Sequence, residues 1–124
     1  AGTQTSYSFD SSQHTLKDVA WYAANSQGWV QPVAQKIPNS WGLYDMLGNA
    51  AEWVADDFVQ HSQVDRFGKP PKDGSPRLDG KMTKVVRGGC WSYHPIHCQS
   101  GSRYSTAPVN ASAEIGFRTV LSIE

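Results

Sequence analysis

Apolar and polar side chains alternate along this chain only in short stretches, each long enough for a single strand. Residues 51–55 alternate with a period of two, which predicts a β-strand. Residues 84–91 (KVVRGGCW) predict a second strand that runs into a Gly-Gly turn or bulge. Residues 114–123 predict a closing strand with one apolar face. The side chains of that face are Ile115, Phe117, Thr119, Leu121 and Ile123.

Long irregular segments separate these stretches. A short helix is predicted over residues 16–25 (LKDVAWYAAN), where Gly28 would stop it. Residues 31–39 contain two prolines, residues 64–84 are rich in glycine and proline, and residues 92–112 are again irregular. Loops therefore hold more residues than regular elements, and loops of this kind usually carry the binding or catalytic groups.

Composition excludes several classes of protein. The chain has 124 residues, enough for one small domain. Its 11 basic and 11 acidic residues balance to a net charge of zero without a basic patch, which argues against nucleic acid as a partner. There is no run of about 20 apolar residues, so we expect no membrane span. Because the first residue is Ala1, the sequence can be a processed chain or a piece of a longer protein.

The cysteines and two histidines are the candidate chemistry that the residues alone offer. Cys90 and Cys98 are too few for a disulfide-dense scaffold; they could pair with each other, pair with something outside this chain, or stay free. His94 and His97 lie between them, and His and Cys side chains bind transition metals. Histidines in a proline-containing loop are more often exposed than metal-bound, so we favour no transition-metal site here.

Three motifs, in order, resemble one family. They are VAWYAAN at 19–25, WGLYDMLGNAAEW at 41–53 and VRGGCW at 86–91, the last followed by CQSGSR at 98–103 and IGFR at 115–118. Over nearly the whole chain they resemble the formylglycine-generating enzyme, or sulfatase-modifying factor, family. The resemblance implies an α+β, C-type-lectin-like fold, loop-rich with short strands and little helix. It also implies that residues 1–124 are the C-terminal half of one domain, whose N-terminal half would be a second chain or another segment.

The resemblance implies a calcium site on the turn before Trp53. The matching positions are Asp45, Gly48, Ala50 and Glu52. Calcium prefers carboxylate and carbonyl oxygens from a flexible loop, and these residues can offer two carboxylates and two backbone carbonyls. Spacing alone would favour two solvated carboxylates beside a turn, whereas with the resemblance we favour calcium.

The catalytic pair of the family is not present in its usual form. Formylglycine-generating members hold copper with two cysteines a few residues apart, and soft thiolates suit Cu(I). Here Cys90 stands where the family usually has Ser, and Cys98 opens a motif whose cysteine is structural in relatives. Copper is therefore disfavoured and we expect no formylglycine synthesis. Cys90 and Cys98 remain only candidates for a substitute catalytic pair. We favour a disulfide instead, either between these two cysteines or from Cys98 to the absent half of the domain.

Residues 92–114 are the stretch that some lectin-like relatives diversify for ligand binding. The polar and aromatic candidates in and beside it are Trp91, Tyr93, His94, His97 and Tyr104. Outside this stretch, Trp41 and Trp53 are expected to be anchors of the core.

Three arginines match arginines of the family: Arg87, Arg103 and Arg118. An arginine fork can bond loop carbonyls or pair with a carboxylate through two parallel hydrogen bonds. We expect these arginines to be structural and to fix the long loops.

Three functions follow from these expectations. The favoured one is a calcium-stabilised accessory module that binds a peptide, protein or small-molecule ligand and makes no formylglycine. The alternatives are an oxidative enzyme of the same superfamily acting on a peptide or thiol substrate, and a structural subunit of a surface assembly. Fold alone does not choose among them. Because relatives are often exported, the resemblance favours an extracytoplasmic location, periplasmic or secreted.

Overall fold

A mixed sheet organises the part of the chain that the structure describes. The structure is a computed structural model and describes residues 5–60, 71–73 and 75–121. Within these residues, four strands form the sheet in the order β3-β2-β1-β4. They are β1 (Ala51–Asp57), β2 (Lys84–Arg87), β3 (Tyr104–Thr106) and β4 (Ile115–Gly116). β1 pairs antiparallel with β2, β2 antiparallel with β3, and β1 parallel with β4. The first two predicted strands are thereby confirmed.

Helix is scarce in the described residues. Of the helix predicted over residues 16–25, only α1 (Leu16–Val19) forms, and Pro95–Cys98 makes one 3-10 turn. The prediction is wrong beyond α1 because Ala20 is extended and its carbonyl accepts a hydrogen bond from the Asn25 side chain at 2.9 Å. A short polar side chain that bonds the backbone in this way competes with helical pairing. No helix in the described part of the chain is long and apolar enough to cross a membrane.

The closing strand is much shorter than the alternation over residues 114–123 predicts. Pairing with β1 ends at Gly116, and the following residues are irregular. Phe117 is 79% exposed and Leu121 is 86% exposed, so the predicted apolar face is not buried against this sheet. The prediction is wrong for residues 117–121, since a strand needs a partner backbone as well as a pattern. The last position of the predicted face, Ile123, lies outside the described residues.

The segment before β2 is fastened to the end of β1 by one buried carboxylate. The predicted loop over residues 64–84 is described only in part. In that part, Asp57 accepts hydrogen bonds from the backbone N–H groups of Asp79 at 2.8 Å and Lys81 at 3.1 Å, and from Lys84 Nζ at 2.6 Å. Asp57 is only 2% exposed, and burying a carboxylate is tolerable because these donors replace water.

Two small apolar clusters form the core of the described residues. The first contains Val19, Ala20, Leu47 and Cys98. The second contains Ala51, Val86 and Cys90, and Trp53, Tyr93, Tyr104 and Ile115 pack against it. The prediction of a core position is therefore confirmed for Trp53. It is wrong for Trp41, which is 71% exposed because its turn, built on the Asn39 side chain, projects from the surface.

An open groove with apolar walls lies beside the β1–β4 end of the sheet. We call it the apolar groove; its apolar lining consists of Val30, Val33, Leu43, Tyr44 and Phe117. All five side chains belong to the exposed large hydrophobic residues of the chain. An exposed apolar surface of this kind marks an interaction site more often than a free surface.

Candidate functional site

The turn with the predicted calcium positions is held in one conformation by close backbone packing. Gly48 has a φ of +72°, and a Cβ atom there would lie 2.1 Å from the Trp21 carbonyl oxygen, so only glycine fits. Asp45 also has a positive φ, +54°. Its Oδ2 accepts a hydrogen bond from Ala34 N–H at 2.7 Å, while its Oδ1 is buried and has no hydrogen-bond partner. The fold thus presents one buried anionic oxygen with no partner.

Glu52 is paired with an arginine from the chain after β4. Arg118 donates from Nε to Glu52 Oε2 at 2.9 Å and from Nη2 to Oε1 at 2.7 Å. The same Nη2 donates to the Tyr44 carbonyl at 2.9 Å. Hydrogen bonding to Glu52 raises the pKa of Arg118 above its usual value. The expected structural role of Arg118 is confirmed, since it ties β1, the turn and the last described segment together.

The predicted calcium positions are partly gathered at one place. Asp45, Ala50 and Glu52 line the apolar groove, whereas Gly48 does not line it and is buried against Trp21. The side-chain donors are all oxygens, which suits a hard cation. Asp45 Oδ1 has no other partner, and each Glu52 oxygen keeps a lone pair beyond its bond to arginine. Asp45 and Glu52 therefore offer carboxylate oxygens of the kind that calcium prefers.

Both cysteines are buried, free thiols. Each has 0% of its surface exposed, and they pack in different apolar clusters, so the favoured disulfide between Cys90 and Cys98 is not formed. Burial raises the pKa of both thiols, that of Cys98 to about 11. The thiolate is the form that attacks substrates and binds metals, and neither thiol ionises near neutral pH. No group of three or more His, Cys, Asp or Glu side chains placed to hold a metal occurs in the described ranges.

Cys90 is connected to a carboxylate through a serine that sequence analysis missed. Its Sγ lies 3.2 Å from Ser92 Oγ, and Ser92 Oγ donates a hydrogen bond to Glu114 Oε1. Ser92 and Glu114 are 22 residues apart in the chain, so no local pattern could have revealed this contact. The arrangement satisfies polar groups beside the second apolar cluster, while burial keeps the pKa of the Cys90 thiol raised although the hydrogen bonds with Ser92 act to lower it.

Three of the predicted ligand-binding residues form an aromatic cluster. Tyr93, His97 and Tyr104 contact one another edge to face, with ring centroids 5.4–5.7 Å apart. The Tyr104 hydroxyl is hydrogen-bonded to His97 Nδ1. Burial raises the pKa of both tyrosines, so both hydroxyls are neutral donors near neutral pH. The rings are half-buried, and their geometry is that of preferred aromatic pairs.

The other two predicted ligand-binding residues lie outside these ring contacts. Trp91 Nε1 donates to the Ala113 carbonyl at 3.1 Å, which fixes the indole along the loop before β4. His94 is exposed and begins the 3-10 turn, where its side chain accepts a hydrogen bond from Ile96 N–H. The structure therefore brings together three of the five candidates.

Comparison with known proteins decides the family. The profile of the sulfatase-modifying factor enzyme 1-like domain matches residues 1–123. This chain belongs to the sulfatase-modifying factor family. A curated relative, the formylglycine-generating enzyme of Mycobacterium tuberculosis, is 30% identical over an alignment 105 residues long; the alignment covers 75% of this chain and 34% of the relative.

Two solved structures of similar proteins agree with the family membership. Treponema denticola variable protein 1 has a TM-score of 0.79 and 33% identity, over 94% of this chain and 40% of that one. PvdO from Pseudomonas aeruginosa has a TM-score of 0.73 and 34% identity, over 90% of this chain and 42% of that one. The predicted α+β, C-type-lectin-like fold of the family is confirmed. The chain spans less than half the length of each of these three relatives.

Proposed function

We propose that this sulfatase-modifying factor chain is part of a calcium-stabilised accessory module that binds a ligand or partner and makes no formylglycine. The observation that carries the proposal is the state of the two thiols. Cys90 and Cys98 are fully buried, lie in separate apolar clusters and have raised pKa values. A copper-dependent oxidase needs cysteines that copper and substrate can reach, and these two thiols have no exposed surface.

Thiol reactivity and bound metal test this proposal directly. In the natural-length protein, we expect Cys90 and Cys98 to resist iodoacetamide until denaturant is added, as followed by mass spectrometry. Elemental analysis should find calcium and no copper. Copper near one equivalent that is lost in both Cys90→Ser and Cys98→Ser would contradict the proposal and support an enzyme.

Calcium would be held by Asp45 and Glu52 through their carboxylates and by Gly48 and Ala50 through their carbonyls. The support is the partnerless Oδ1 of Asp45 together with the oxygen-only donor set. When bound, calcium would offset the negative charges of Asp45 and Glu52 and add to the cross-link that Arg118 makes.

Calorimetric titration with calcium tests the site. A dissociation constant of roughly 10⁻⁴ to 10⁻³ M is typical of extracellular calcium modules. Asp45→Asn should weaken binding at least tenfold, whereas Asp10→Asn, which neutralises an exposed turn carboxylate, should leave it unchanged. Equal binding by both variants would show that calcium is held elsewhere.

The ligand site that we propose is the aromatic cluster of Tyr93, His97 and Tyr104, extended by Trp91 and His94. Aromatic rings with polar edges suit recognition of a flat or weakly polar ligand. A library of peptides and small organic molecules can be screened by saturation-transfer NMR on the natural-length protein. Hits should lose binding in Tyr93→Ala and keep it in Tyr44→Ala, an exposed tyrosine of the apolar groove; the opposite result would exclude the cluster.

The partner that we propose for the apolar groove is the N-terminal half of the same family domain, in the same chain or as a second chain. The five exposed apolar side chains of the groove support it, together with the 34–42% of relatives' length that this chain matches.

We also propose an extracytoplasmic location, which cell fractionation tests.

Two alternatives differ in what they predict. An oxidative enzyme acting on a peptide or thiol is favoured by the similarity to formylglycine-generating enzymes, and requires that the natural-length protein bind copper. A structural subunit of a surface assembly is favoured by the apolar groove, and requires a stable complex with a different protein. Elemental analysis and size-exclusion chromatography with light scattering separate them from the binding module.

A further inference from the structure

Two arginines lie where the pairing of β2 with β3 ends. The paired residues are Val85 with Ser105 and Val86 with Tyr104, so Arg87 and Arg103 are the next positions along the same register, just beyond the last pair. Side chains that are directly opposite on neighbouring strands point to the same face of the sheet. Like charges in this position repel each other and destabilise the pairing.

Neither guanidinium has a carboxylate within hydrogen-bonding distance among the described residues. Arg87 Nη1 donates to the Ser100 carbonyl at 3.3 Å, and the Arg103 guanidinium lies over the Phe58 ring at 5.6 Å. Arg103 Nε is buried and has no hydrogen-bond acceptor. Burial, and secondarily the charge of Arg103, lower the pKa of Arg87. The fold therefore holds the guanidinium groups of Arg87 and Arg103 near each other and leaves the buried Nε–H of Arg103 without an acceptor.

Two other arginines in the described part of the chain are differently placed. Arg118 forms an ion pair with the carboxylate of Glu52, and Arg77 forms one with that of Asp79. The expectation that all three family arginines are structural is supported for Arg118, and for Arg87 by its bond to a loop carbonyl. Arg103 differs, because its ring contact with Phe58 uses none of its N–H donors.

We propose that Arg87 and Arg103 form a binding site for a carboxylate on the face of the sheet opposite the Tyr104 ring. Arginine forks match the two oxygens of a carboxylate, and the unused Nε–H of Arg103 would be one of the donors. Glu52, which is opposite Arg87 on β1, is already paired with Arg118, and Asp56 is near enough to act on the charge of Arg87. Arg87, Arg103 and Asp56 therefore leave a net charge of +1. A singly charged carboxylate neutralises such a site, whereas a doubly charged phosphate overcompensates it.

The carboxylate can come from two sources that share this chemistry. One is a free organic acid, and the other is an Asp or Glu side chain of the N-terminal half of the family domain, which we propose above as the partner of the apolar groove. The site lies on the opposite face of β3 from the aromatic cluster, so it does not depend on the function proposed for that cluster.

The test is ¹⁵N NMR of arginine Nε–Hε groups in the natural-length protein, with the Arg103 signal assigned by its absence in Arg103→Lys. For a free acid, sodium acetate at constant ionic strength should shift this signal downfield and saturate. Arg103→Lys keeps the charge but loses the fork, so acetate binding, followed on neighbouring backbone amides, should weaken at least tenfold. Lys72→Ala, which removes an exposed cation, should bind acetate as the wild type does.

A carboxylate of the N-terminal half gives a different result. The Arg103 Nε–Hε signal should then be downfield and slow to exchange with water before any addition, and acetate should not move it. It should lose this protection only below about pH 4, where a carboxyl group protonates. A rapidly exchanging signal that responds to neither acetate nor pH would overturn the proposal. Tighter binding of inorganic phosphate than of acetate would overturn the assignment to a carboxylate.

Discussion

At the scale of single residues, the turn between α1 and β1 requires glycine at position 48, because there is no room for a Cβ atom. Gly48 packs so closely against Trp21 that a methyl group there would overlap the Trp21 carbonyl oxygen. Gly48 N–H also donates to the Gly88 carbonyl at 2.7 Å, so the turn cannot move away without losing a backbone hydrogen bond. This contact therefore helps to fix the backbone at Asp45, the candidate calcium ligand in the same turn.

Gly48→Ala should therefore lower the free energy of unfolding by about 4 kcal/mol, near the upper end for single substitutions. Gly42→Ala is the matched control, because Gly42 has a similar φ of +76° but nothing within 4 Å of its Cβ position. The control should cost only about 1 kcal/mol, for the left-handed backbone alone. Urea denaturation measures both. Equal losses would show that the backbone conformation, and not the contact with Trp21, requires glycine.

The carboxylate of Asp57 should make stability depend on pH. Its pKa is lowered, first by the hydrogen bond from Lys84 and then by the backbone N–H groups of Lys81 and Asp79. A group whose pKa is lower in the folded state stabilises the protein above its unfolded pKa of about 4 and loses that contribution as pH falls through the folded pKa.

The urea midpoint of the wild type should accordingly fall as pH drops below about 4. Asp57→Asn should have a lower midpoint at pH 7 and a flatter dependence on acid pH. Lys84→Met removes the largest cause of the lowered pKa and should also flatten the curve. An unchanged acid profile in Asp57→Asn would assign the pH dependence to other carboxylates.

At the scale of elements, the short β4 is attached to β1 by side chains as much as by backbone. Only two residue pairs, Ala51 with Ile115 and Glu52 with Gly116, join these strands in the described structure. The Arg118–Glu52 pair lies immediately beyond, with Arg118 also bonded to Tyr44. Because two pairs of a parallel ladder are weak, we expect this ion pair to hold the chain after β4 in place.

A double-mutant cycle with Arg118→Met and Glu52→Gln, made in calcium-free buffer, measures this contribution. Both side chains are partly exposed, so we expect a coupling energy of about 1 kcal/mol, which should decrease in high salt. The single Arg118→Met variant should also expose Phe117 to faster proteolysis nearby. A coupling energy near zero would mean that backbone pairing alone positions β4.

At the scale of the whole molecule, the described residues bury little apolar surface for a domain of this length. The fully buried side chains are small, and the apolar groove exposes five large ones. Sheet pairing, the Asp57 hydrogen bonds and the Arg118 ion pair supply much of the cohesion. Covering the groove with a further part of the family domain would add the missing apolar burial.

Phe117→Ser tests whether the groove is covered in the natural-length protein. We expect a loss of about 2 kcal/mol in the free energy of unfolding, the value for exposing a large buried side chain. Val109, which is 89% exposed in a loop, gives the control Val109→Ser, with an expected change within about 0.5 kcal/mol. Thermal or urea denaturation gives both values. A neutral Phe117→Ser would mean that the groove is open to solvent or to a transient ligand.

The sequence by itself determined the family, the loop-rich α+β fold, the positions of β1 and β2, and the residues worth considering for chemistry. Alternation sufficed for β1 because Ala51 and Trp53, two residues apart, contact the same apolar cluster. β2 was predicted from its β-branched pair Val85 and Val86, both of which are buried. It failed for residues 117–121, because whether an apolar face is buried depends on what lies opposite. The helix prediction failed beyond Val19 because the Asn25 side chain bonds the Ala20 carbonyl, a competition that periodicity does not register.

Only the tertiary structure decided what the candidate residues can do. It placed Cys90 and Cys98 in separate clusters, paired Glu52 with Arg118, and set Arg87 and Arg103 just beyond the last pair of β2 with β3. These relations join positions far apart in the chain, so they depend on strand register and packing rather than on local pattern. Burial then set the protonation of the thiols, because the free energy of a charge depends on the groups and solvent around it in space.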